Sequence, residues 1–275
     1  MNRIEAAFKH KPIFMPYFPL GYPSLETSLA VIEALAKNGA DLIEVGLSFS
    51  DPLADGPVIQ KATQTALENG ITVKKSLEAV AELRHHGVTI PLVLMGYYNP
   101  ILAFGLKVFI KEARSAGADG FIIPDLPPEE AADFKTSAGF YSSHTSDLPL
   151  ISTLAPTTPS ERMDLILRGA QGFIYLVSVT GVTGARKDLP EGLEELVKRA
   201  RQITSLPVCV GFGIGTPQQA GAVGGMADGV IVGSACVRAI SESLSPVLAA
   251  KEFARSYSAA LIQIKSPLDG YLPRA

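Results

Sequence analysis

The chain has 275 residues, of which 47% are hydrophobic and 19% are charged, and its formal net charge is −3 at pH 7. This balance is typical of a globular enzyme and gives no electrostatic basis for binding nucleic acid or an acidic membrane surface. No apolar run is long enough to span a bilayer, and the charged start lacks the pattern of a signal peptide, so we expect a cytoplasmic protein.

Strand and helix patterns alternate along the whole chain. The predicted strands are 13–18, 41–45, 92–95, 121–123, 148–153, 173–177, 208–210 and 230–232. The predicted helices are 24–37, 57–69, 73–86, 106–116, 129–138, 159–168, 193–203, 216–223, 234–241 and 246–264. Such alternation indicates an α/β fold with a mainly parallel sheet. Eight units without a break in composition predict one (β/α)8 TIM barrel with extra helices, a single domain over residues 1–275.

A short internal repeat supports the barrel. A quartet rich in Gly and Ala precedes each even-numbered predicted strand, at residues 38–41, 116–119, 169–172 and 226–229. A glycine that ends a helix, followed by a short polar entry into a strand, is typical of the connections from helix to strand in such a fold.

The cysteines and histidines suggest neither a disulfide nor a metal site. Cys209 and Cys236 have apolar or small neighbours, which predicts buried free thiols. The four histidines do not pair at metal-ligand spacing, and we interpret them as surface residues.

Glu44 is the most unusual residue of the predicted sheet. A strand flanked by helices on both faces should be continuously apolar, and a carboxylate there is costly unless it is paired or its pKa is shifted. Glu44 ends the second predicted strand, and Asp55 follows in the next loop, at the strand ends where barrel active sites lie. Two interpretations stay open at this point: a general acid/base site, or a buried glutamate that caps a neighbouring loop.

Glycines follow the last two predicted strands and open helices. They are Gly211, Gly213 and Gly215, before Thr216, and Gly233, before Ser234. Loops after strands seven and eight are the usual phosphate site of a barrel, where backbone N–H groups and the helix dipole bind the anion. We therefore expect phosphate binding here, with simple tight turns as the alternative. The long loop at 178–187, with two glycines, is a candidate mobile lid.

Other barrel chemistries are less compatible with the sequence. A Schiff-base aldolase needs a lysine near a strand end, and no predicted strand contains one. A metal-dependent aldolase or epimerase needs clustered His and acidic ligands, which the sequence does not show. The pattern favours metal-free proton transfer with bond cleavage on a small phosphorylated substrate.

Several motifs, in order along nearly the whole chain, resemble those of the tryptophan synthase alpha chain family. They are FSDPLADGP (49–57) with Glu44 upstream, LMGYYNP (94–100), PDLPPEE (124–130), APTTP (155–159), GVTG (181–184) and GFG (211–213). The stretch 49–57 is highly specific, whereas the glycine motifs alone would not be.

The resemblance implies cleavage of indole-3-glycerol phosphate to indole and glyceraldehyde 3-phosphate in L-tryptophan biosynthesis, without a cofactor. It implies that Glu44 protonates the indole ring carbon and takes the proton of the side-chain hydroxyl, and that Asp55 holds the indole N–H. The implied substrate-binding residues are Tyr175, Thr183 and Phe212, and the implied phosphate-binding residues are Gly184, Gly213, Gly233 and Ser234.

The resemblance also implies a partner, the tryptophan synthase beta chain, in an expected alpha2beta2 heterotetramer. Pyridoxal phosphate belongs to that partner. Ser48, Pro19, Tyr22 and Gly96 depart from residues common in the family, and the loop of Pro19 and Tyr22 lies near the partner surface that the resemblance implies. Two alternatives remain: a stand-alone indole-3-glycerol-phosphate lyase that releases free indole, and a catalytically silent barrel that only activates a beta chain.

Overall fold

A computed structural model describes residues 2–139, 148–177, 192–211 and 213–265. The eight strands are β1 (Ile13–Pro19), β2 (Ile43–Gly46), β3 (Leu92–Met95), β4 (Gly120–Ile122), β5 (Ser152–Leu154), β6 (Ile174–Val177), β7 (Val208–Gly211) and β8 (Gly229–Val232). The pairings between neighbouring strands are parallel, in the order β4-β3-β2-β1-β8-β7-β6-β5. A parallel bridge between Phe121 and Leu150 joins the two ends of this order. The predicted (β/α)8 barrel is therefore confirmed.

The helices alternate with the strands. They are α1 (Arg3–Ala7), α2 (Leu25–Lys37), α3 (Pro57–Glu68), α4 (Val73–His85), α5 (Tyr98–Phe104), α6 (Leu106–Ala116), α7 (Ala132–Ser137), α8 (Ser160–Arg168), α9 (Leu193–Ile203), α10 (Pro217–Gly224), α11 (Ser234–Ser241) and α12 (Pro246–Lys265). A 3-10 turn, Phe8–His10, follows α1. Ser24 is the N-cap of α2, because its side chain accepts a hydrogen bond from the N–H of Thr27.

The core fills the barrel and the layer between barrel and helices. The strand residues are almost all buried, in keeping with a parallel sheet that is covered on both faces. The longest helix, α12, closes the ring on β1, where the rings of Phe14 and Tyr257 stack with their centroids 5.5 Å apart. Because Phe14 lies near the start of β1, this contact places the second half of α12 near the amino-terminal end of the barrel.

Two local predictions need correction. The fifth strand, predicted at 148–153, comprises only Ser152–Leu154. The helix predicted at 129–138 is only Ala132–Ser137, because two turns that begin at Pro127 and Pro128 occupy the preceding residues. Two helices were not predicted: α1, with an Asn2–Glu5 capping box, and α5, with a proline in its first turn, where proline is tolerated.

Candidate active site

A cavity of about 760 Å³ opens at the carboxyl ends of the strands. Its lining includes side chains from β1 to β6 and from β8, together with the loops that follow β2, β7 and β8. The sequence-predicted residues Glu44, Asp55, Tyr175, Gly213 and Gly233 all line this cavity, as does Ser234. The fold therefore brings residues that are far apart in the sequence into one cavity at the expected end of the barrel.

Glu44 lies inside β2 and is 4% exposed. Burial raises the pKa of its carboxyl to about 8, and the nearby charge of Asp55 acts in the same direction. Among the described residues its carboxyl oxygens have no hydrogen-bond donor, so these residues give no support to the alternative that Glu44 caps a neighbouring loop. Glu44 is therefore a buried acid that is protonated at neutral pH and faces a cavity.

Asp55 lies in the loop that enters α3, and a tyrosine from the next strand's loop holds it. The hydroxyl of Tyr97 donates to Asp55 Oδ2 at 3.0 Å, and the N–H of Ala54 donates to Tyr97 Oη at 3.0 Å. Burial raises the pKa of Asp55 to about 6, and the hydrogen bond from Tyr97 acts in the opposite direction. A pKa of about 6 leaves Asp55 mainly ionised at neutral pH.

Two tyrosines flank the carboxyl groups. Tyr175 in β6 is 6% exposed, and burial, followed by the charges of Glu44 and Asp55, raises its pKa well above the usual value. Tyr17 in β1 is 3% exposed and has its pKa raised by burial and by the same two acids. Both phenols are therefore neutral and able to donate hydrogen bonds at any physiological pH.

The two glycine-rich loops differ in how their helices begin. The N-terminus of α10 is closed by its own side chains: Thr216 and Gln219 form a capping box, and Gln219 Oε1 also accepts from the N–H of Gly215 at 2.8 Å. The N-terminus of α11, at Gly233, has no side-chain cap among the described residues. The backbone N–H groups of Gly233 and Ser234 are therefore the better anion donors, with Gly213 beside them in the cavity lining.

Some predicted site residues cannot be placed. Thr183, Gly184 and Phe212 lie outside the described residues, as does the candidate lid at 178–187. The structure also places at the site three residues that were not predicted from the sequence: Tyr17, Tyr97 and Arg238. Tyr97 belongs to a motif that we had noted, but its contact with Asp55 spans 42 positions and has no local signal in the sequence.

Other site types find little support in the described residues. Within residues 2–139, 148–177, 192–211 and 213–265, no group of three or more His, Cys, Asp and Glu side chains could hold a metal ion. In the same ranges, no helix is both long enough and apolar enough to cross a membrane. Cys209 and Cys236 are buried free thiols, as predicted. His10, His85 and His86 are exposed, also as predicted, whereas His144 lies outside the described residues.

Comparison with known proteins identifies the family. Residues 4–263 match the family model for the tryptophan synthase alpha chain. The chain belongs to the tryptophan synthase alpha chain family. The tryptophan synthase alpha chain of Chloroflexus aggregans is 48% identical over 251 residues, which cover 90% of this chain and 92% of the relative. The alpha chain of Chloroflexus aurantiacus is 50% identical over 242 residues, which cover 86% and 89%.

Solved structures agree with this membership. The tryptophan synthase alpha chain of Legionella pneumophila superposes with a TM-score of 0.86 at 36% identity, over 97% of this chain and 100% of that one. A chain of Mycobacterium tuberculosis tryptophan synthase gives a TM-score of 0.86 at 35% identity, over 94% and 98%. This family member therefore shares its barrel with the relatives over nearly its whole length.

Proposed function

We propose that this chain is the alpha subunit of tryptophan synthase and cleaves indole-3-glycerol phosphate to indole and glyceraldehyde 3-phosphate in L-tryptophan biosynthesis. It is a carbon–carbon lyase that acts by acid/base catalysis. The observation that carries the proposal is that Glu44 and Asp55 line one cavity together with the start of α11, which has no side-chain cap among the described residues. Burial raises the pKa of Glu44 to about 8 and that of Asp55 to about 6. Environments that push two pKa values apart assign one group as acid and the other as charged partner.

Glu44 is the general acid and then the base. The bond between the indole ring and the side chain breaks only when the ring carbon has been protonated, because indole then becomes a leaving group. A carboxyl that burial keeps protonated at neutral pH supplies that proton. The resulting carboxylate then accepts the proton of the side-chain hydroxyl as the aldehyde forms.

Asp55 stabilises the charge that protonation creates. Its carboxylate accepts the indole N–H and balances the positive charge of the protonated ring. Tyr97 acts through Asp55 as a positioning residue: its hydroxyl fixes one carboxylate oxygen, and the bond that it accepts from Ala54 ties it to the same loop. This support holds the charge in place before the substrate reacts, which is the condition for electrostatic catalysis.

The substrate is held at both ends. Tyr175, Thr183 and Phe212 bind the indole and glycerol parts, and Gly184, Gly213, Gly233 and Ser234 hold the phosphate through backbone N–H groups. Support comes from the start of α11, which has no side-chain cap among the described residues, and from the positive end of its dipole. Arg238, which lines the cavity one helical turn after Ser234, adds a positive charge at this end.

The wider assignment follows the family. The partner is the tryptophan synthase beta chain, the assembly is an alpha2beta2 heterotetramer, and pyridoxal phosphate belongs to the beta chain. We place the chain in the cytoplasm and treat residues 1–275 as one TIM-barrel domain. The relatives reported above are tryptophan synthase alpha chains, which favours this function over a stand-alone lyase. The paired, pKa-shifted acids argue against a silent barrel.

The test is indole release from indole-3-glycerol phosphate by the purified chain, with and without a cognate beta chain. Glu44→Gln is the matched loss-of-function variant, since the amide keeps the shape of the side chain but cannot transfer a proton. We expect it to lower kcat by about 10²–10⁴-fold with little change in substrate binding. Glu252→Gln, on the exposed side of α12, is the control and should behave as wild type. Equal activity of wild type and Glu44→Gln would reject the assignment of Glu44.

A further inference from the structure

Tyr17 places a hydroxyl group in the cavity that the proposed chemistry has not yet used. The residue is 3% exposed and lines the cavity. Among the described residues its hydroxyl has no hydrogen-bond partner. The hydroxyl oxygen is not among the fully buried side-chain atoms that lack a partner, so it is open to the cavity, where a bound ligand can accept a hydrogen bond from it.

The position of the hydroxyl is fixed by a glycine on the neighbouring strand. Tyr17 pairs in register with Glu44, and two residues further along β2 the Tyr17 ring covers Gly46. A Cβ atom at Gly46 would overlap the hydroxyl oxygen of Tyr17, so only glycine leaves room for the ring there. The hydroxyl thus lies at the carboxyl end of β2, next to the strand that carries the acid.

Tyr175 repeats this arrangement elsewhere around the barrel. It pairs in register with Cys209 of β7, and its ring covers Gly211, where a Cβ atom would lie 2.6 Å from Tyr175 Oη. In each case a tyrosine on one strand lies over a glycine that follows its register partner by two residues. Tyr17 and Tyr175 thus both line the cavity, and each packs over a glycine in the same way. The sequence resemblance implied a role for Tyr175 alone.

The electrostatic surroundings of Tyr17 select a donor role. Burial and then the charges of Asp55 and Glu44 raise its pKa well above the usual value, so the phenol stays protonated. Its O–H is available next to the carboxyl group that exchanges protons with the substrate.

We infer that Tyr17 is a further substrate-contacting residue, whose hydroxyl donates a hydrogen bond to the side-chain oxygen on the carbon that is bonded to the indole ring. This inference rests on the proposed function. When the carbon–carbon bond breaks, its electron pair returns to the protonated ring, the O–H electron pair forms the aldehyde C=O bond, and the proton passes to the Glu44 carboxylate. The oxygen gains negative charge during this step, and a fixed donor stabilises it.

The kinetic test compares Tyr17→Phe with Tyr257→Phe. Tyr257 is a matched control, because it is also a buried tyrosine without a hydroxyl partner among the described residues, yet it lies on α12 and does not line the cavity. We expect Tyr17→Phe to lower kcat by roughly 10- to 100-fold and to raise KM by only about 3- to 10-fold, since the bond strengthens as charge develops. Tyr257→Phe should retain wild-type kcat.

A binding test separates loss of this contact from a folding defect. In the Glu44→Gln background, which blocks turnover, the affinity for indole-3-glycerol phosphate is compared with that for an analogue in which hydrogens replace the side-chain hydroxyls. Tyr17→Phe should weaken binding of the first ligand by about 3- to 10-fold and leave the second unchanged. If Tyr17→Phe kept the kcat of the wild type and bound both ligands as tightly as the enzyme that keeps Tyr17, the proposed role of Tyr17 would be overturned. Absence of turnover by the wild type, with or without a beta chain, would instead overturn the proposed function.

Discussion

At the scale of single residues, Glu44 and Asp55 show how the local environment gives two carboxyl groups different protonation states. Glu44 lies within the sheet, where desolvation has no compensating hydrogen bond among the described residues, and its pKa rises to about 8. Asp55 is also desolvated, but the Tyr97 hydroxyl stabilises its charged form and its pKa rises only to about 6. The two side chains therefore hold one proton between them across the neutral range.

This separation predicts a bell-shaped pH dependence of kcat/KM. Activity needs Asp55 ionised and Glu44 protonated, so it should rise with pH through about 6 and fall through about 8. The measurement is kcat/KM for indole release at constant ionic strength from pH 5 to pH 10. A profile that keeps rising above pH 9 would contradict a protonated Glu44 as the acid. The substrate phosphate also titrates at pH ~6. A separate experiment must therefore show whether the acid limb, where activity rises with pH, reports Asp55 or the substrate.

Tyr97→Phe supplies that assignment. The variant removes the hydrogen bond that lowers the pKa of Asp55, so this pKa should rise and the acid limb should move to higher pH, by about one unit. The basic limb and the titration of the substrate should not move. Tyr98→Phe is the control, because the structure gives its hydroxyl no contact with Asp55. An acid limb that stays in place in Tyr97→Phe would assign that limb to the substrate.

At the scale of the elements, the repeated quartets have a common structural role. In three of them an aspartate forms a reciprocal pair with the start of the preceding strand: Asp41 with Phe14, Asp119 with Leu92, and Asp228 with Val208. The aspartate N–H donates to the carbonyl oxygen of that residue, and its carboxylate accepts from the N–H of the same residue. In these three cases the quartet therefore fastens an even-numbered strand (β2, β4 or β8) to the odd-numbered strand that precedes it, at the amino-terminal end of the barrel.

The Asp119 pair should be the most sensitive of these to mutation. Its carboxylate also accepts from Arg84 and Arg3, and the Asp119 and Arg84 side chains are only 8% and 13% exposed. Asp119→Ala leaves a largely buried guanidinium without its counter-charge, and we expect a loss of about 3 kcal/mol in the free energy of unfolding. The measurement is the urea midpoint at unchanged m-value.

Glu194→Ala is the control for that stability measurement. It removes an exposed ion pair with Lys198 on α9, and such pairs contribute little to stability. The urea midpoint of this variant should therefore stay close to that of the wild type. A similar midpoint shift in both variants would argue against a special role for the Asp119 cluster.

The sequence predicts the fold well, because hydrophobic periodicity and helix-stop glycines are local signals. The bounds of β3, α6, α9 and α11 agree with the prediction, whereas β5 is shorter than predicted. β5 begins where its ladder with β6 begins, at the pair Ser152 and Ile174, whereas the preceding segment meets β4 through an isolated bridge between Leu150 and Phe121. Strand pairing rather than hydrophobicity therefore decides where β5 begins.

The candidate site likewise contains residues that have a local signal in the sequence and residues that have none. Glu44 could be predicted because an acid interrupts an apolar strand, and its burial is confirmed. Tyr17 and Tyr97 could not be predicted, because what distinguishes them is contact with residues on other strands and loops. A tyrosine in a buried strand has no feature of its own that separates a core residue from a cavity residue.

At the scale of the whole molecule, the cavity opens on one face of the barrel, and the Asp55 loop forms part of its rim. Leu53 in that loop is 89% exposed, which is unusual for a leucine beside a cavity. A partner that covered this loop would remove the apolar surface of Leu53 from water, which favours association. The proposed beta chain would cover this face and bury Leu53. Because Asp55 lies two residues further along, such a contact can favour the arrangement in which Asp55 meets the substrate.

Leu53→Ser should therefore weaken binding of a cognate beta chain by about 10- to 100-fold, the value for losing a buried leucine contact of about 1.5–3 kcal/mol. Ile262→Ser is the matched control: Ile262 is 54% exposed, but it lies near the end of α12, at the opposite end of the barrel. Binding is measured by titration of the beta chain, and indole release is followed in the same samples.

The same titration of the beta chain also tests whether substrate binding and partner binding are coupled. If the partner favours the closed site, substrate must tighten partner binding by the same factor by which the partner tightens substrate binding, typically about 5- to 150-fold. Leu53→Ser should reduce partner affinity with and without substrate and keep the basal indole release of the isolated chain within about 3-fold, since the Tyr97–Asp55 hydrogen bond is intact. No complex at micromolar concentrations, together with full activity of the isolated wild type, would favour the stand-alone lyase. Equal loss of affinity in Leu53→Ser and Ile262→Ser would move the partner surface away from the cavity rim.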